Sequence, residues 1–188
     1  MKKPLSNKRL LLIVSLVCVA IAIYLLVVPL LVDHDGLRAG LGKALGELTE
    51  EYTPEQAAAD DCLVVNCDNI TAGSARWNWF RFKVALRIPA AIRICDFFSS
   101  GEQSFIDLTY TGREFAMHYP DRPAHYARYL KYSRATNPYR TGYESQNTYY
   151  LSTAPNGSWI EYMYGTLSAD GDMPDYSAYL LFFEQALP

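Results

Sequence analysis

The sequence has few of the residues that carry metal or nucleophilic chemistry: four cysteines and three histidines in 188 residues. Cys62 and Cys67 enclose four residues with no histidine nearby, which is not a zinc-binding pattern. No Gly-x-Ser-x-Gly motif is present, so the nucleophile turn of the α/β-hydrolases is excluded. Asp170, Asp172 and Asp175 depart from the spacing of a calcium-binding EF-hand loop and lack its closing glutamate. We therefore predict no metal, cofactor or catalytic residue, and favour a role that is not enzymatic.

The chain beyond its N-terminal segment also lacks a surplus of positive charge. Residues 33–188 contain all twenty acidic residues but only thirteen basic ones, which gives a formal charge near −7. A protein that binds nucleic acid over a large surface is basic, so this composition excludes nucleic acid as the partner. The segment has 156 residues, the size of one domain with a core of its own, and it contains no internal repeat.

The sequence does contain one long apolar run. Residues Leu10–Val32 are 23 uncharged and almost wholly apolar positions, and about 20 such residues span a bilayer as a helix. The first charges after the run are Asp33 and Asp35, whereas all charges before it are positive: Lys2, Lys3, Lys8 and Arg9. Positive charge stays in the cytoplasm. We therefore predict a cytoplasmic basic tail (1–9), a single-pass transmembrane helix acting as a signal anchor (10–32) and an extracytoplasmic remainder on the cell membrane.

The apolar run has two other interpretations. A cleaved signal peptide would use Ala20-Ile21-Ala22, but cleavage there leaves ten apolar residues at the new N-terminus. A lipoprotein would use Cys18, which follows Val17 where a small residue is expected. An uncleaved helix fits the sequence better than either.

The first external segment, residues 33–61, is predicted to be a helical stalk next to the membrane. Leucines recur at helical spacing, although three glycines weaken the helix: Leu37, Leu41, Leu45 and Leu48. Thr53 and Gln56 form a capping-box pattern around Pro54, so a second, short helix is predicted to begin there.

Residues 62–188 are predicted to form one α+β domain, with a mostly antiparallel sheet packed by two or three helices. Asp121–Arg134 is predicted to be a helix, because Asp121 can cap it and Pro123 suits its first turn. Asn156-Gly157 predicts a hairpin that joins strands at Thr148–Thr153 and Ser158–Tyr164. Further strands are expected over Leu63–Val65, Ala91–Phe98, Ser104–Tyr110, Glu114–Tyr119 and Ala178–Phe183. Residues 76–88 alternate as a strand does, but they also fit a helix that begins at Ser74.

Three short stretches carry a resemblance to a known family: Ala91–Phe98, Phe105–Gly112 and Met117–Arg122. Through them the chain, over residues 62–125, resembles an uncharacterised family of small exported, membrane-attached proteins of Gram-positive bacteria, known as domain of unknown function 4362. The resemblance implies a helix rather than a strand over residues 74–87, and we follow it. It implies no activity. This chain departs from the family at Ser100-Gly101-Glu102-Gln103, and in having a membrane span where many of those proteins have a lipid anchor.

The external cysteines are odd in number, so at most one disulfide forms among them. Cys62 with Cys67 closes a very short loop, and an extended strand between them would hold them too far apart. Cys95 with either partner is equally open, as are three reduced cysteines.

The strongest feature of the external domain is a basic and tyrosine-rich segment. Thirteen of the fifteen tyrosines lie between Tyr110 and Tyr179, and residues 122–143 contain no acidic residue. Tyrosine and arginine anchor many interfaces, and arginine pairs with carboxylate or phosphate. We predict a binding surface for an anionic surface, a wall polymer or an acidic protein, made of Arg122, Tyr126, Arg128, Tyr129, Lys131, Arg134 and Arg140.

The sequence therefore favours a membrane-anchored domain that binds a partner at the cell surface without catalysis. Two alternatives belong to other classes. A membrane-anchored hydrolase of envelope substrates would require His118 or His125 to meet a serine or a carboxylate in one cleft. A structural component of a membrane complex would instead act through the membrane helix and the stalk.

Overall fold

The computed structural model describes residues 7–48, 51–136, 145–167 and 174–185, which form five helices and two β-sheets. The helices are α1 (Asn7–Leu31), α2 (His34–Ala39), α3 (Pro54–Ala59), α4 (Ser74–Ala85) and α5 (Trp159–Leu167). The strands are β1 (Leu63–Asn66), β2 (Asn69–Ala72), β3 (Ala90–Phe97), β4 (Gln103–Tyr110), β5 (Phe115–His118), β6 (His125–Ala127), β7 (Tyr129–Thr136), β8 (Ser145–Ser152) and β9 (Ala178–Gln185).

Helix α1 is long and apolar enough to cross a membrane. Its apolar stretch, Leu10–Val28, has 19 residues, and none of them is buried inside the protein. The prediction of one N-terminal apolar helix is confirmed, and such a helix suits either an anchor or a signal sequence. Residues 1–6 of the predicted basic tail lie outside the described residues.

The domain that follows is α+β, as predicted. Six strands form the first sheet in the order β2-β1-β3-β4-β5-β6, and three form the second in the order β7-β8-β9. Among the described strands, β1 and β3 are the one parallel pair, and the other pairs are antiparallel. Helix α4 lies in the connection between β2 and β3, because a parallel pair needs a crossover.

The main core lies between the first sheet, helix α4 and the second sheet. Strand residues that alternate along β1, β3 and β4 supply one wall: Leu63, Val65, Ile92, Ile94, Ile106 and Leu108. Trp77 of α4 joins the two sheets, since its ring lies 5.3 Å from that of Tyr149 and 5.4 Å from that of Phe182. The opposite face of the first sheet packs against the segment before it through Leu45, Tyr52 and Ala57.

Helix α4 confirms the helical choice for residues 74–87. It begins after Gly73, whose φ of 76° places it in the left-handed region. A side chain at Gly73 would also overlap the backbone of Cys62 and Leu63, so this helix start requires glycine. Local alternation alone predicted a strand here, and the burial of Trp77 and Phe80 on one helix face overrides it.

The predicted helix over Asp121–Arg134 is wrong. These residues form a turn and the strands β6 and β7. Strand β6 pairs with β5, and β7 pairs with β8 through eight residues. Asp121 and Pro123 are equally suited to a tight turn, and cross-strand pairing outweighs the local capping signal.

Two further predictions are corrected. Ser158–Tyr164 is not the second strand of a hairpin, because α5 covers Trp159–Leu167. Ser158 accepts a hydrogen bond from the Glu161 backbone at 3.4 Å, and the Tyr176 hydroxyl contacts both backbone groups of Ser158 at 2.9 Å, so the chain is held at a helix start. The first of the two helices predicted over 33–61 is also shorter than expected: it is limited to α2 and is followed by a separate 3-10 turn (Leu45–Glu47). The second, short helix is confirmed as α3, and the whole segment packs on the first sheet.

Candidate functional site

A group of buried polar side chains lies between α2 and the first sheet. Four polar side chains of β3, β4 and β5 are at most 9% exposed, and all four point toward α2: Arg93, Asp107, Thr109 and His118. Helix α2 contributes His34 and Arg38, and its start is fixed by Asp33, which accepts a hydrogen bond from Gly36 at 2.6 Å. We call the six residues together the polar joint: His34, Arg38, Arg93, Asp107, Thr109 and His118.

Arg93 and Asp107 form the centre of the polar joint. They pair across β3 and β4, with Nε to Oδ1 at 2.7 Å and Nη2 to Oδ2 at 3.0 Å. Burial disfavours the Arg93 charge, but the Asp107 carboxylate more than offsets this and raises the pKa of Arg93. Arg38 brings a second cation, 3.7 Å from the same carboxylate. Asp107 thus connects α2 to the sheet as well as β3 to β4.

His34 contacts Thr109, which lies two residues beyond Asp107 on the same face of β4. Its Nδ1 lies 2.7 Å from the Thr109 hydroxyl, which itself donates to the Ala116 carbonyl at 3.3 Å. The hydroxyl proton is therefore used, so Nδ1 of His34 is the donor in this contact. Its Nε2 lies 3.9 Å from Glu114, yet burial keeps the pKa of His34 below its ordinary value. The lowered pKa favours the neutral form of the ring.

His118 completes the polar joint without a partner for its Nε2 among the described residues. Its ring lies 6.2 Å from that of His34. Burial lowers the pKa of His118, and the charge of Arg38 lowers it further. Thr109, the one residue of the polar joint with a hydroxyl group, is fully buried.

The structure separates His118 from His125, the two histidines considered for a hydrolase. His125 pairs with Met117, the neighbour of His118, so the two histidines point to opposite faces of the sheet. The His125 ring stacks on Tyr179 at 4.5 Å. Neither of the two surface depressions described for the domain contains a histidine. The contacts of the polar joint hold α2 on the first sheet, through His34 with Thr109 and Arg38 with Asp107.

Beside the polar joint, the structure brings two of the three external cysteines together. Cys62 and Cys95 are buried in one cluster, and their interaction lowers the pKa of Cys62 and raises that of Cys95. The Tyr52 hydroxyl lies 3.9 Å from the Cys62 sulfur. Cys67 is exposed in a turn beyond β1. All three are reduced in the structure.

The two ends of the first sheet differ in what they contact. One end carries the paired residues Ala91, Thr109 and Ala116, and we call it the anchor end because α2 docks there. The other end carries Asn66 and Phe97, and we call it the far end. The second sheet has one end at this far end too. The backbone N–H of Gln185, the last residue of β9, donates a hydrogen bond to the carbonyl of Asp68, just beyond β1, at 2.7 Å.

Two of the predicted binding residues lie away from the anchor end. Arg134 directly precedes Ala135 in β7. Ala135 pairs with Gln146 of β8, which in turn pairs with Gln185 at the far end. Arg122 lies in the turn that joins the end of β5 to the start of β6. The Phe115–Ala127 pair, at the other end of these two strands, lies at the anchor end. Both side chains are exposed. The Arg122 guanidinium lies over the Tyr119 ring at 4.4 Å, which positions it without burying it.

The other predicted binding residues are placed differently. Exposed Tyr126 lies 5.7 Å from the His34 ring, and exposed Arg128 follows Ala127 at the anchor end. Tyr129 and Lys131 are half-buried, and the Lys131 ammonium donates to the Pro155 carbonyl. Arg140 lies outside the described residues, as do Asp170 and Asp172 of the acidic loop. The predicted surface is therefore divided between the two ends of the domain.

Sequence reasoning missed the polar joint, although the sequence contained a signal for it. Arg93 and Asp107 lie in the mostly apolar strands β3 and β4, and charged residues are almost never fully buried unless they are paired. Two opposite charges in neighbouring buried strands therefore indicate an ion pair. Arg38 and His34 carried no such signal, because they lie in a short polar segment that was predicted to be a helical stalk next to the membrane.

Comparisons with known protein families, with curated proteins and with solved structures find no match to this chain.

Proposed function

We propose that this protein is a single-pass membrane protein whose external domain binds an anionic polymer of the cell envelope without catalysing a reaction. In this proposal α1 crosses the cell membrane with residues 1–9 in the cytoplasm, and residues 33–188 lie outside. The charge asymmetry around the apolar run supports this orientation.

The observation that carries the binding proposal is the exposure of Arg122 and Arg134 away from the anchor end of an acidic domain. No acidic residue occurs between them in the sequence, and the chain from Arg122 to Arg134 forms the outer strands of both sheets. Guanidinium groups bind phosphate and carboxylate oxygens with two parallel hydrogen bonds, so arginine favours a polymer rich in those groups. A partner that arrives from outside the membrane would meet these side chains first.

Replacing both Arg122 and Arg134 with glutamate is expected to weaken binding of poly(glycerol phosphate) to the full chain in detergent micelles about tenfold, because attraction becomes repulsion at the contact. The dissociation constant is measured by fluorescence titration at about 0.1 M salt, where longer-range charge effects are largely screened.

The matched control replaces Lys43 and Arg113, two other exposed cations, with glutamate. It changes the net charge by the same amount and should leave binding within about twofold of the wild type, because distant charges are screened. Equal losses in the two variants would reduce the effect to net charge and contradict the proposal. Binding of polyglutamate but not of poly(glycerol phosphate) would instead assign the surface to an acidic protein.

A further inference from the structure

Helix α4 presents an apolar stripe to solvent on the side away from the core. Trp79, Phe82 and Leu86 are 56%, 51% and 45% exposed. Trp79 and Phe82 share one face of the helix, and their rings stack at 5.3 Å. Leu86 directly follows the last residue of α4, and its backbone N–H still donates to the Phe82 carbonyl at 3.2 Å, so it continues the same face. We call these three residues the α4 stripe. An exposed cluster of large apolar side chains usually marks a contact surface.

The α4 stripe lies at the anchor end of the domain. Trp79 lines a depression together with Ala90 and Ala91, the first residues of β3. Ala91 pairs with Thr109, whose hydroxyl binds His34 of α2. Leu86 belongs to the turn that leads from α4 directly into β3.

The anchor end cannot lie far from the end of α1. Only Val32 and Asp33 separate Leu31, the last residue of α1, from His34. A fully extended chain covers about 3.6 Å per residue, so His34 lies within about 11 Å of the helix end. If α1 spans the bilayer, the anchor end faces the headgroups of the same membrane.

The charges around the α4 stripe complement an anionic membrane surface. Four basic residues at the anchor end form no ion pair among the described residues: Lys83, Arg87, Arg113 and Arg128. The Lys83 ammonium lies over the Trp79 ring at 5.7 Å, which places charge beside the stripe. Two acidic residues there form ion pairs with arginines, Asp61 with Arg76 at 2.8 Å and Asp35 with Arg38 at 3.5 Å. Glu114 lies 3.9 Å from the His34 ring.

We propose that the α4 stripe lies in the interfacial layer of the membrane that α1 crosses, with its flanking cations on anionic lipid headgroups. Tryptophan prefers this layer because its ring is amphipathic, and a helix with aromatic residues beside lysine and arginine is typical of interfacial binding. The domain is then held by two contacts, α1 through the bilayer and α4 on its surface. This inference rests on the membrane insertion proposed above.

The test measures tryptophan fluorescence of the full chain in vesicles of phosphatidylcholine with phosphatidylglycerol, some of whose acyl chains carry bromine. The three tryptophans, Trp77, Trp79 and Trp159, all lie in the external domain, so α1 contributes no signal. Trp77 is 2% exposed in the core. We expect quenching by the brominated lipid, and we expect Trp79→Phe to remove about half of it or more, because Trp79 is the tryptophan placed at the interface.

A charge variant and a matched control complete the test. Lys83→Glu with Arg87→Glu should reduce quenching in vesicles that contain phosphatidylglycerol, because cations near the surface are attracted to anionic lipid. Phe98→Ala removes an aromatic side chain that is 39% exposed just after β3, at the far end, and should leave quenching unchanged. Equal effects of Phe98→Ala and Trp79→Phe on quenching would overturn the inference.

Flotation of the vesicles after an alkaline wash separates this inference from the proposed function. If the chain floats but Trp79 is quenched by acrylamide in the water and not by brominated lipid, the interfacial contact is wrong while the anchor stands. If the chain does not float, membrane insertion fails and the inference fails with it.

Discussion

Replacing Asp107 with leucine is expected to destabilise the domain by about 3–5 kcal/mol, because it leaves a buried guanidinium without its counter-charge. Arg93 is 5% exposed and Asp107 is 2% exposed, so water cannot replace the lost carboxylate. Arg38 also loses its contact 3.7 Å away, which loosens α2 from the sheet. The free energy of unfolding is measured by urea titration of the full chain in detergent micelles, with tryptophan fluorescence as the signal.

The double variant Arg93→Met with Asp107→Leu is expected to recover much of this loss, because apolar side chains of similar size often replace a buried ion pair without harm. The exposed pair of Arg122 and Asp121, with 3.6 Å between its charged atoms, supplies the control. Asp121→Asn should change the unfolding free energy by less than about 1 kcal/mol, since surface pairs contribute little. A single Asp107→Leu that unfolds like the wild type would show that the polar joint does not hold the domain together.

Replacing Asp96 with asparagine is expected to stabilise the domain by about 2–4 kcal/mol at pH 8, which corresponds to a rise of about 5–10 °C in Tm. Asp96 is 5% exposed, and its Oδ1 has no hydrogen-bond partner among the described residues. Burial, and then the nearby Asp68 carboxylate, raise the pKa of Asp96 from 3.8 to about 7. Above that pH the folded protein must hold a buried charge that the asparagine variant lacks.

The stability gain of Asp96→Asn is expected to vanish in acid, because the pKa of Asp96 is raised in the folded protein. The folded-state pKa of Asp96 is raised, so its contribution to stability is full below pH 3.8 and is lost as the pH rises through about 7. The variant and the wild type should therefore have equal Tm near pH 4. His34 and His118 act in the opposite sense, since their lowered pKa values cost stability below about pH 6.5 in both proteins. A difference in Tm that does not change between pH 4 and pH 8 would contradict this account of Asp96.

The parts of the fold that the sequence predicts are those in which local pattern and final packing agree. Strands β3, β4 and β5 alternate or run apolar, and each lies within two residues of its predicted bounds. The capping box of α3 forms as expected, with Thr53 and Gln56 exchanging hydrogen bonds at 3.3 and 2.8 Å. In β6 and β7 the local cap signal pointed to a helix, whereas pairing with β5 and β8, distant in sequence, decided the structure.

The candidate sites were less predictable because they depend on which ends of the sheets meet. The basic and tyrosine-rich segment was visible in the sequence, but only the pairing of β6 and β7 shows that Arg128 and Arg134 lie at different ends. The α4 stripe was hidden for the same reason. Trp79, Phe82 and Leu86 look like core residues in the sequence, and only the burial of Trp77 and Phe80 on the other helix face leaves them exposed.

The position of the domain outside the membrane is tested most directly by labelling its exposed thiol in intact cells. Cys67 is exposed, whereas Cys62 and Cys95 are buried and Cys18 lies within α1. A charged maleimide that does not cross membranes should therefore label Cys67 without lysis, and Cys67→Ser should abolish the labelling. Labelling of Cys67 that appears only after the cells are broken open would place the domain in the cytoplasm and contradict the account.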